Sequence, residues 1–281
     1  MQVTLLTCTP DIESKLFKRH AEALKKNTNN YEWLIIDNNR KPDFNHAREI
    51  NRAIFATSNK FLITLDDDLI VTNGWIEGLL EAAQKSEVVG GVHRFDNKNV
   101  NHSGGYILPN GIAGHYTGNI RATAFVHYVC SAVLLIDLEF IKEKKVFFDE
   151  NYIKFFQDAD YCFRVWEAGG SVAVTEKCDV IHLVGQAVGD LSNRSALFNK
   201  DSRYFNNKWV SSSRLKSLME KIENRLDHDY KHGLKKLYEL HTGYADTQTS
   251  NNLKAQESII EKLSMLKNYD SAVRILEKYR L

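Results

Sequence analysis

Three consecutive aspartates, Asp66 to Asp68, interrupt the apolar stretch FLITLDDDLIV. The Ile, Leu and Phe residues of this stretch are typical of a buried strand, so we expect the carboxylates at its carboxyl end. Crowded carboxylates are costly unless a cation or hydrogen-bond donors compensate their charge. A divalent cation, Mn²⁺ or Mg²⁺, is the simplest partner, because both bind carboxylates together with substrate phosphates. The alternative is an acidic turn, either solvated or capping a helix near Trp75.

Two further groups suit the same chemistry. Asp158 and Asp160 lie in FQDADYCFR, before a predicted helix whose amino end favours negative charge. His182 lies in the motif VIH, near the end of a predicted strand. An Asp and a His around one cation, with open positions for phosphate oxygens, would form a transition-metal site, and Mn²⁺ accepts both ligand types. Taken singly, Asp158 also suits a helix N-cap and His182 a hydrogen-bonded core position.

The elements that must position these residues alternate along the first part of the chain as β-α-β-α-β. The predicted strands are Val3–Cys8, Trp33–Ile36 and the run before the aspartates, and the predicted helices are Asp11–Leu24 and Asn45–Ala56. This order implies a parallel sheet with right-handed crossovers, in which ligands bind beyond the carboxyl ends of the strands. Cys8, Asp37 and the three aspartates fall at that edge.

Shorter elements follow, around an irregular region rich in Gly and Asn at Arg94–Ala124 that carries turn and hairpin signals. The predicted elements are a helix at Trp75–Ala83, strands at Val88–Val92, His127–Ile136, Val172–Val174 and Val180–Leu183, and a helix that stops at Gly169 and Gly170. The polar segment Val184–Lys200 is predicted to be a mobile loop that orders over bound nucleotide, or a plain linker.

Composition limits the classes of partner and of compartment. The chain is 43% hydrophobic with a net charge of +1, which argues against nucleic acid as a partner. No apolar run approaches the roughly 20 residues of a membrane-spanning helix, so no transmembrane segment is expected. The N-terminal run is interpreted as a strand and not as a signal peptide. Four cysteines without a C-x-x-C pair indicate neither a zinc site nor disulfides, and a cytoplasmic location is expected.

The composition changes near residue 210, which divides the chain into a predicted catalytic domain, 1–209, and a helical C-terminal region, 210–281. Amphipathic helices of mixed charge in the second region are expected to form a homodimer, to pack on the first domain, or to touch the inner face of the membrane and meet a lipid-linked acceptor. The homodimer is favoured, because the charges include both signs.

Residues 1–209 resemble glycosyltransferases with the GT-A fold, particularly the inverting family 2. VTLLTCTPD is similar to the opening strand and nucleotide-binding turn, WLIIDNN to the second strand, and FLITLDDD to the DxD strand. VFFDENYIKFFQDADYCFRVWEAGG is similar to the second signature of the family, and FNNKW to the end of its catalytic domain. The resemblance implies an α/β fold with a Rossmann-like, mostly parallel central sheet and a helical appendage.

The resemblance also implies roles for single residues. Asp158 would be the general base, Asp68 the principal metal ligand and His182 a second ligand. Asp37 would contact the nucleotide base, and Asp66 the ribose or the surroundings of the metal. The full set expected to bind the nucleotide sugar is Thr9, Asp37, Asn38, Arg48, Asp66 and Asp67.

Two positions depart from the family pattern. The usual glutamate of the acid pair is Gln157 here, which removes a charge but leaves Asp158. The arginine that often precedes an asparagine on the helix before the DxD strand is replaced by Ile50, so Arg48 or Arg52 would reach the diphosphate instead.

The sequence therefore predicts a metal-dependent inverting glycosyltransferase that moves a sugar from a nucleotide-diphosphate donor to a hydroxyl of a glycan or lipid-linked acceptor, in surface polysaccharide or glycoconjugate synthesis. The alternatives are a nucleotidyltransferase, which the lack of a glycine- and lysine-rich phosphate loop disfavours, and a catalytically silent module that binds nucleotide or glycan, which Gln157 favours.

Overall fold

The structure is a computed structural model that describes residues 3–39, 41, 43–108, 111, 113–183, 194–226, 230 and 231. Its strands are β1 (Val3–Thr9), β2 (Tyr31–Asp37), β3 (Phe61–Asp66), β4 (Leu69–Val71), β5 (Val88–Arg94), β6 (Val100–His102), β7 (Gly105–Ile107), β8 (Ala113–His115), β9 (Ala124–Phe125), β10 (Val133–Asp137) and β11 (Val172–His182). Its helices are α1 (Lys15–Asn27), α2 (His46–Ala56), α3 (Trp75–Ala82), α4 (Leu138–Lys144), α5 (Gln157–Glu167), α6 (Arg194–Phe205) and α7 (Arg214–Ile222). A π-helical turn, Asn206–Val210, joins α6 to α7, and a 3₁₀ turn, Glu223–Arg225, follows α7.

A mixed central sheet organises the fold, with strand order β2-β1-β3-β10-β5-β11-β4. Strands β1, β2, β3, β5 and β11 run in one direction, while β10 and β4 run against them. The predicted α/β class with a mostly parallel central sheet is thus confirmed. Strands β7 and β8 form a separate antiparallel pair within the irregular region, where the sequence carries hairpin signals.

Local sequence accounts for the first five elements. The side chain of Ser14 accepts a hydrogen bond from Phe17 N and starts α1, and the side chain of Asn45 accepts from Arg48 N and starts α2. The predicted order β-α-β-α-β is confirmed, although α1 begins four residues later than predicted. Apolar residues of both helices pack on the sheet, and Leu24 and Ile50 are fully buried.

Three predicted boundaries are wrong. Predicted strand His127–Ile136 begins only at Val133, because the preceding residues leave the sheet and Tyr128 pairs with Gly105 instead. The predicted strands Val172–Val174 and Val180–Leu183 form one strand, β11, whose pairing with β5 is irregular between Thr175 and Asp179.

The part of the C-terminal region that the structure describes packs on the sheet domain. Leu215, Leu218 and Ile222 of α7 are buried in the same core as residues of α5 and β5. Most of the predicted helical region, 227–229 and 232–281, lies outside the described residues, as does 184–193 of the predicted loop. The domain boundary and the homodimer therefore stay predictions. Among the helices described here, none is long and apolar enough to span a membrane.

Candidate metal centre

A reversal of the chain brings the aspartates to His182. Strand β3 ends at Asp66, Asp67 and Asp68 form a turn, and β4 then pairs antiparallel with β11, so that Leu69 lies opposite His182. The turn is fixed by its backbone, since Leu183 N donates to Asp68 O at 2.9 Å. Two stretches that are more than 100 residues apart in sequence thus meet at one edge of the sheet.

The side chains of Asp66, Asp68 and His182 form the candidate metal centre. Each offers one ligand atom, and these atoms all lie within 4.8 Å of one another. His182 Nε2 is 3.1 Å from Asp68 Oδ1. This buried oxygen has no partner with hydrogen-bond geometry among the described residues. Two carboxylates and an imidazole with an orphaned oxygen are a donor set that suits Mn²⁺, and Mg²⁺ would use the carboxylates. The residues therefore fit a divalent cation.

The electrostatics of the centre are those of crowded acids. Burial, followed by the charge of Asp68, raises the pKa of Asp66 to about 7, while His182 acts in the opposite direction. For His182, burial lowers the pKa, but its contact with Asp68 outweighs burial and raises the pKa above the usual value. Asp66 and His182 thus each hold a proton more tightly than they would in water.

Protons should therefore compete with metal at this centre. Because the raised pKa of Asp66 belongs to the folded state, the contribution of Asp66 to stability rises as pH falls from about 7 towards about 4. Buried histidines whose pKa is lowered, such as His46, contribute in the opposite direction, so the effect of Asp66 is the difference between the wild type and Asp66→Asn. We expect Mn²⁺ to bind more weakly over the same range, since its ligand must lose a proton. Thermal unfolding of the wild type with EDTA or Mn²⁺, from about pH 8 to about pH 5, measures both trends. Without metal, the stability of the wild type relative to Asp66→Asn should rise as pH falls, and a difference that does not change with pH would contradict the assignment to Asp66.

Thr9 and Asp67 lie beside the centre and contact each other. The hydroxyl of Thr9 at the end of β1 donates to Asp67 Oδ2 at 2.6 Å, and both side chains are buried. Burial raises the pKa of Asp67, and the bond from Thr9 opposes this shift. The carboxylate of Asp67 is thus engaged with β1, and nucleotide binding by these two residues stays a prediction.

Asp37 and Asn38 lie at the same edge, because Asp37 pairs with Thr9 in the parallel register and Asn38 N donates to Thr9 O at 2.9 Å. The carboxylate of Asp37 is exposed, and its Oδ1 accepts from Asn39 N. This placement leaves Asp37 open to a ligand beyond the strand ends, and its contact with the nucleotide base stays a prediction.

Both candidate arginines of α2 share one buried acid. Arg52 contacts Glu49 at 3.0 Å, and Arg48 contacts the same carboxylate at 3.4 Å while it donates to Asp43 O at 2.8 Å. The choice between Arg48 and Arg52 as the diphosphate contact stays a prediction.

Asp158 lies in the first turn of α5 and is not the N-cap, which is Phe156 in the left-handed conformation. Its Oδ1 accepts from Ala159 N at 2.9 Å. Burial raises the pKa of Asp158, against hydrogen bonds from backbone amides and the thiol of Cys130. The charge of Asp158 in turn makes a small contribution to the raised pKa of Asp66. A carboxylate with a raised pKa accepts a proton more readily, as a general base must.

The neighbouring Gln157 is held by a residue that no sequence signal indicated. Its Nε2 lies 3.3 Å from His46 Nδ1 at the start of α2, and its Oε1 is buried without a partner in the part of the chain that the structure describes. Burial lowers the pKa of His46 to about 4, so the imidazole is neutral near pH 7. The amide at the position of the family glutamate thus faces a neutral partner.

A buried carboxylate on α6 fixes the turn before Asp158. Asp201 is 1% exposed, and its oxygens accept from the backbone N–H groups of Ile153, Lys154 and Phe155 at 2.8–3.2 Å. Sequence reasoning missed this residue, because its partners are backbone groups 46 to 48 positions away.

Asp201→Ala should lower the free energy of unfolding by about 2–4 kcal/mol, because three backbone N–H groups lose their buried, charged acceptor. Urea denaturation of the full chain measures this change. Ser202→Ala on the same helix is the matched control, with an expected loss of less than about 0.5 kcal/mol. Equal losses in the two variants would contradict the role of Asp201.

The arrangement defines a class of protein: a mixed α/β sheet with an acid- and histidine-lined centre at the carboxyl ends of its strands. The family model "Glycosyl transferase family 2" matches residues 18–137. The structure of GalNAc-T7 with UDP, GalNAc and Mn²⁺ is similar at a TM-score of 0.54 and 12% identity, over 87% of this chain and 58% of that chain. Residues 18–137 of this chain are thus similar to glycosyltransferase family 2, and its described fold is similar to that of a GT-A glycosyltransferase.

Two further solved structures are similar to this chain at lower TM-scores. A197 from STIV gives a TM-score of 0.43 at 14% identity, over 63% of this chain and 83% of that one. TarS from S. aureus gives 0.48 at 11% identity, over 75% and 45%. Among curated protein sequences none matches significantly.

Proposed function

We propose that this protein is a metal-dependent inverting glycosyltransferase that moves a sugar from a nucleoside-diphosphate donor to an acceptor hydroxyl. The observation that carries the proposal is the group of Asp66, Asp68 and His182 at the carboxyl edge of the sheet. The family match over residues 18–137 supports the class of reaction. The similar fold of GalNAc-T7, whose structure holds UDP and Mn²⁺, supports the donor class and Mn²⁺ over Mg²⁺.

Each part of the centre has a task in this reaction. A bound divalent cation would neutralise charge on the departing diphosphate. Asp68 and His182 hold that position, and Asp66 adds a carboxylate that binds when ionised. Asp158 takes the proton of the acceptor hydroxyl as its oxygen attacks the anomeric carbon, and the bond between that carbon and the diphosphate breaks. The product then carries the new glycosidic bond, and no covalent link to the protein is needed.

The other residues that we propose to bind the nucleotide sugar lie at the ends of strands and on α2. Asp37 and Asn38 are proposed to contact the nucleotide base. Thr9 and Asp67 are proposed to bind the nucleotide sugar beside them, and Arg48 is proposed to contact the diphosphate. We propose a glycan or lipid-linked acceptor in surface polysaccharide or glycoconjugate synthesis, at the cytoplasmic side of a membrane. The homodimer through residues 210–281 belongs to the same proposal.

The products of the reaction test the class. Wild-type protein is incubated with Mn²⁺ and a panel of nucleotide sugars and acceptors, and the released phosphates are separated by chromatography. The proposal predicts a nucleoside diphosphate. Pyrophosphate would indicate nucleotidyl transfer, and donor binding without turnover across the panel would favour a silent module.

A further inference from the structure

Four histidines form a contiguous group behind the candidate metal centre, the histidine cluster. His93 lies 5.0 Å from His102 and 5.5 Å from His182 between ring centroids, and His115 lies 4.7 Å from His102. His93 and His102 are almost fully buried. No motif in the sequence indicated this group, because its members come from strands β5, β6, β8 and β11.

The sheet register places His93 and His182 on one face. His93 pairs with His102 on one side and with Val180 on the other. His182 follows Val180 by two residues, and side chains two positions apart on a strand share a face. The planes of the two rings meet at 82°, so one ring presents its edge to the other.

The cluster holds an unusual share of unsatisfied polar atoms. Seven buried side-chain nitrogens and oxygens lack a hydrogen-bond partner within the described ranges. Four of them belong to the cluster or to Asp68 beside it: His93 Nε2, His102 Nδ1, His182 Nδ1 and Asp68 Oδ1. Orphaned buried groups are costly, and here they concentrate around the ligand His182.

The contacts of His102 and His182 indicate which ring nitrogen of each carries the proton. Cys130 N donates to His102 Nε2 at 3.2 Å, so the proton of this neutral ring sits on Nδ1. His182 turns Nε2 towards Asp68, and an imidazole that ligates a metal through Nε2 carries its proton on Nδ1. That Nδ1–H needs an acceptor, because a ligating histidine is oriented by the partner of its second nitrogen.

We propose that His93 is the positioning residue of the metal centre: its Nε2 accepts a hydrogen bond from one buried water that in turn accepts from Nδ1–H of His182. His93 thereby holds His182 in the ligating tautomer and ring orientation. This inference rests on the proposed function, since it assigns a partner to one of the proposed ligands.

Direct Mn²⁺ titration tests the inference without any knowledge of donor or acceptor. Binding of Mn²⁺ alone to the full chain is followed by the loss of the electron paramagnetic resonance signal of the free ion. His93→Phe keeps an aromatic ring but removes the acceptor, and it should weaken Mn²⁺ affinity about 10- to 100-fold. His93→Gln keeps an acceptor near the position of Nε2, and its affinity should stay within about threefold of the wild type.

The control is His127→Phe. His127 is also buried, but its Nδ1 accepts from Ile107 N and its ring packs against Tyr230. Its Mn²⁺ affinity should equal that of the wild type, and thermal unfolding of all variants with EDTA shows that each is folded.

The outcomes separate the inference from the proposed function. Wild-type affinity in His93→Phe, or equal weakening in His93→Phe and His93→Gln, would overturn the role of His93 alone. A wild type that binds no Mn²⁺ would overturn the metal dependence and this inference together. If His93→Phe does not fold, nitrogen-15 spectra of the wild-type histidines with Zn²⁺, a diamagnetic ion that binds imidazole, decide the question. An unprotonated Nε2 on His93 supports the inference, and a protonated one overturns it.

Discussion

Asp68→Ala is expected to abolish the stabilisation of the protein by UDP and Mn²⁺ together. In the wild type, ligand at about 100 times its dissociation constant should add about 2.7 kcal/mol to the free energy of unfolding. Asp68 is 5% exposed, carries the orphaned Oδ1 and lies 3.1 Å from His182. Its loss removes the central ligand, so the variant should gain almost nothing from the same mixture.

Stability without metal separates this effect from a folding defect. Removal of Asp68 relieves the repulsion that adds to burial in raising the pKa of Asp66, but it also removes the 3.1 Å contact with His182. Because these effects oppose each other, metal-free Asp68→Ala should unfold near the wild-type temperature. Asp179→Ala is the matched control, because Asp179 lies three residues before His182 on β11 and pairs with Arg94 at 2.6 Å. It should keep the full response to UDP and Mn²⁺. A full response in Asp68→Ala would contradict the metal assignment.

Asp158→Asn should slow sugar transfer by about 10²- to 10⁴-fold and leave donor binding nearly unchanged. The substitution keeps the shape of the side chain and can still accept from Ala159 N, but an amide cannot take the proton of the acceptor hydroxyl. The turnover number should therefore fall, whereas the dissociation constant of the donor should stay nearly unchanged. Stopped assays of nucleoside diphosphate release, paired with calorimetric donor binding, measure the two quantities.

The neighbour in the acid pair provides the comparison. Gln157→Glu restores the family residue and places a second carboxylate beside Asp158, without removing the proposed base. Transfer by this variant should stay within about tenfold of the wild type, since the base remains. Wild-type rates in Asp158→Asn, or a larger loss in Gln157→Glu, would contradict the assignment of Asp158.

Local patterns in the sequence predicted most of the sheet. Strands β1 and β3 are short, mostly apolar runs, so their positions followed from local sequence. Asn45 caps α2 where the predicted helix begins, whereas the cap at Ser14 starts α1 four residues later than predicted. The start of β10 was misjudged, because residues before Val133 are as apolar as a strand, but Tyr128 pairs with Gly105 instead. Tertiary contacts override such local preference.

The candidate site was less accessible to sequence reasoning. Asp68 and His182 were singled out, but their 3.1 Å contact depends on the reversal of the chain into β4 and on its register with β11. Asp201 and His93 gave no signal at all. One acts through backbone amides, and the other gains its neighbours from pairing across β5, β6 and β11.

The most direct test of the central claim is a thermal-shift measurement on the wild-type chain with UDP and other nucleoside diphosphates, each with and without Mn²⁺. Ligands that bind the folded state raise the unfolding temperature by mass action. A site built from Asp66, Asp68 and His182 predicts a large shift for at least one nucleoside diphosphate with Mn²⁺ and a small shift without it. Equal shifts with and without Mn²⁺, or no shift for any of them, would contradict a metal-dependent nucleotide-sugar site.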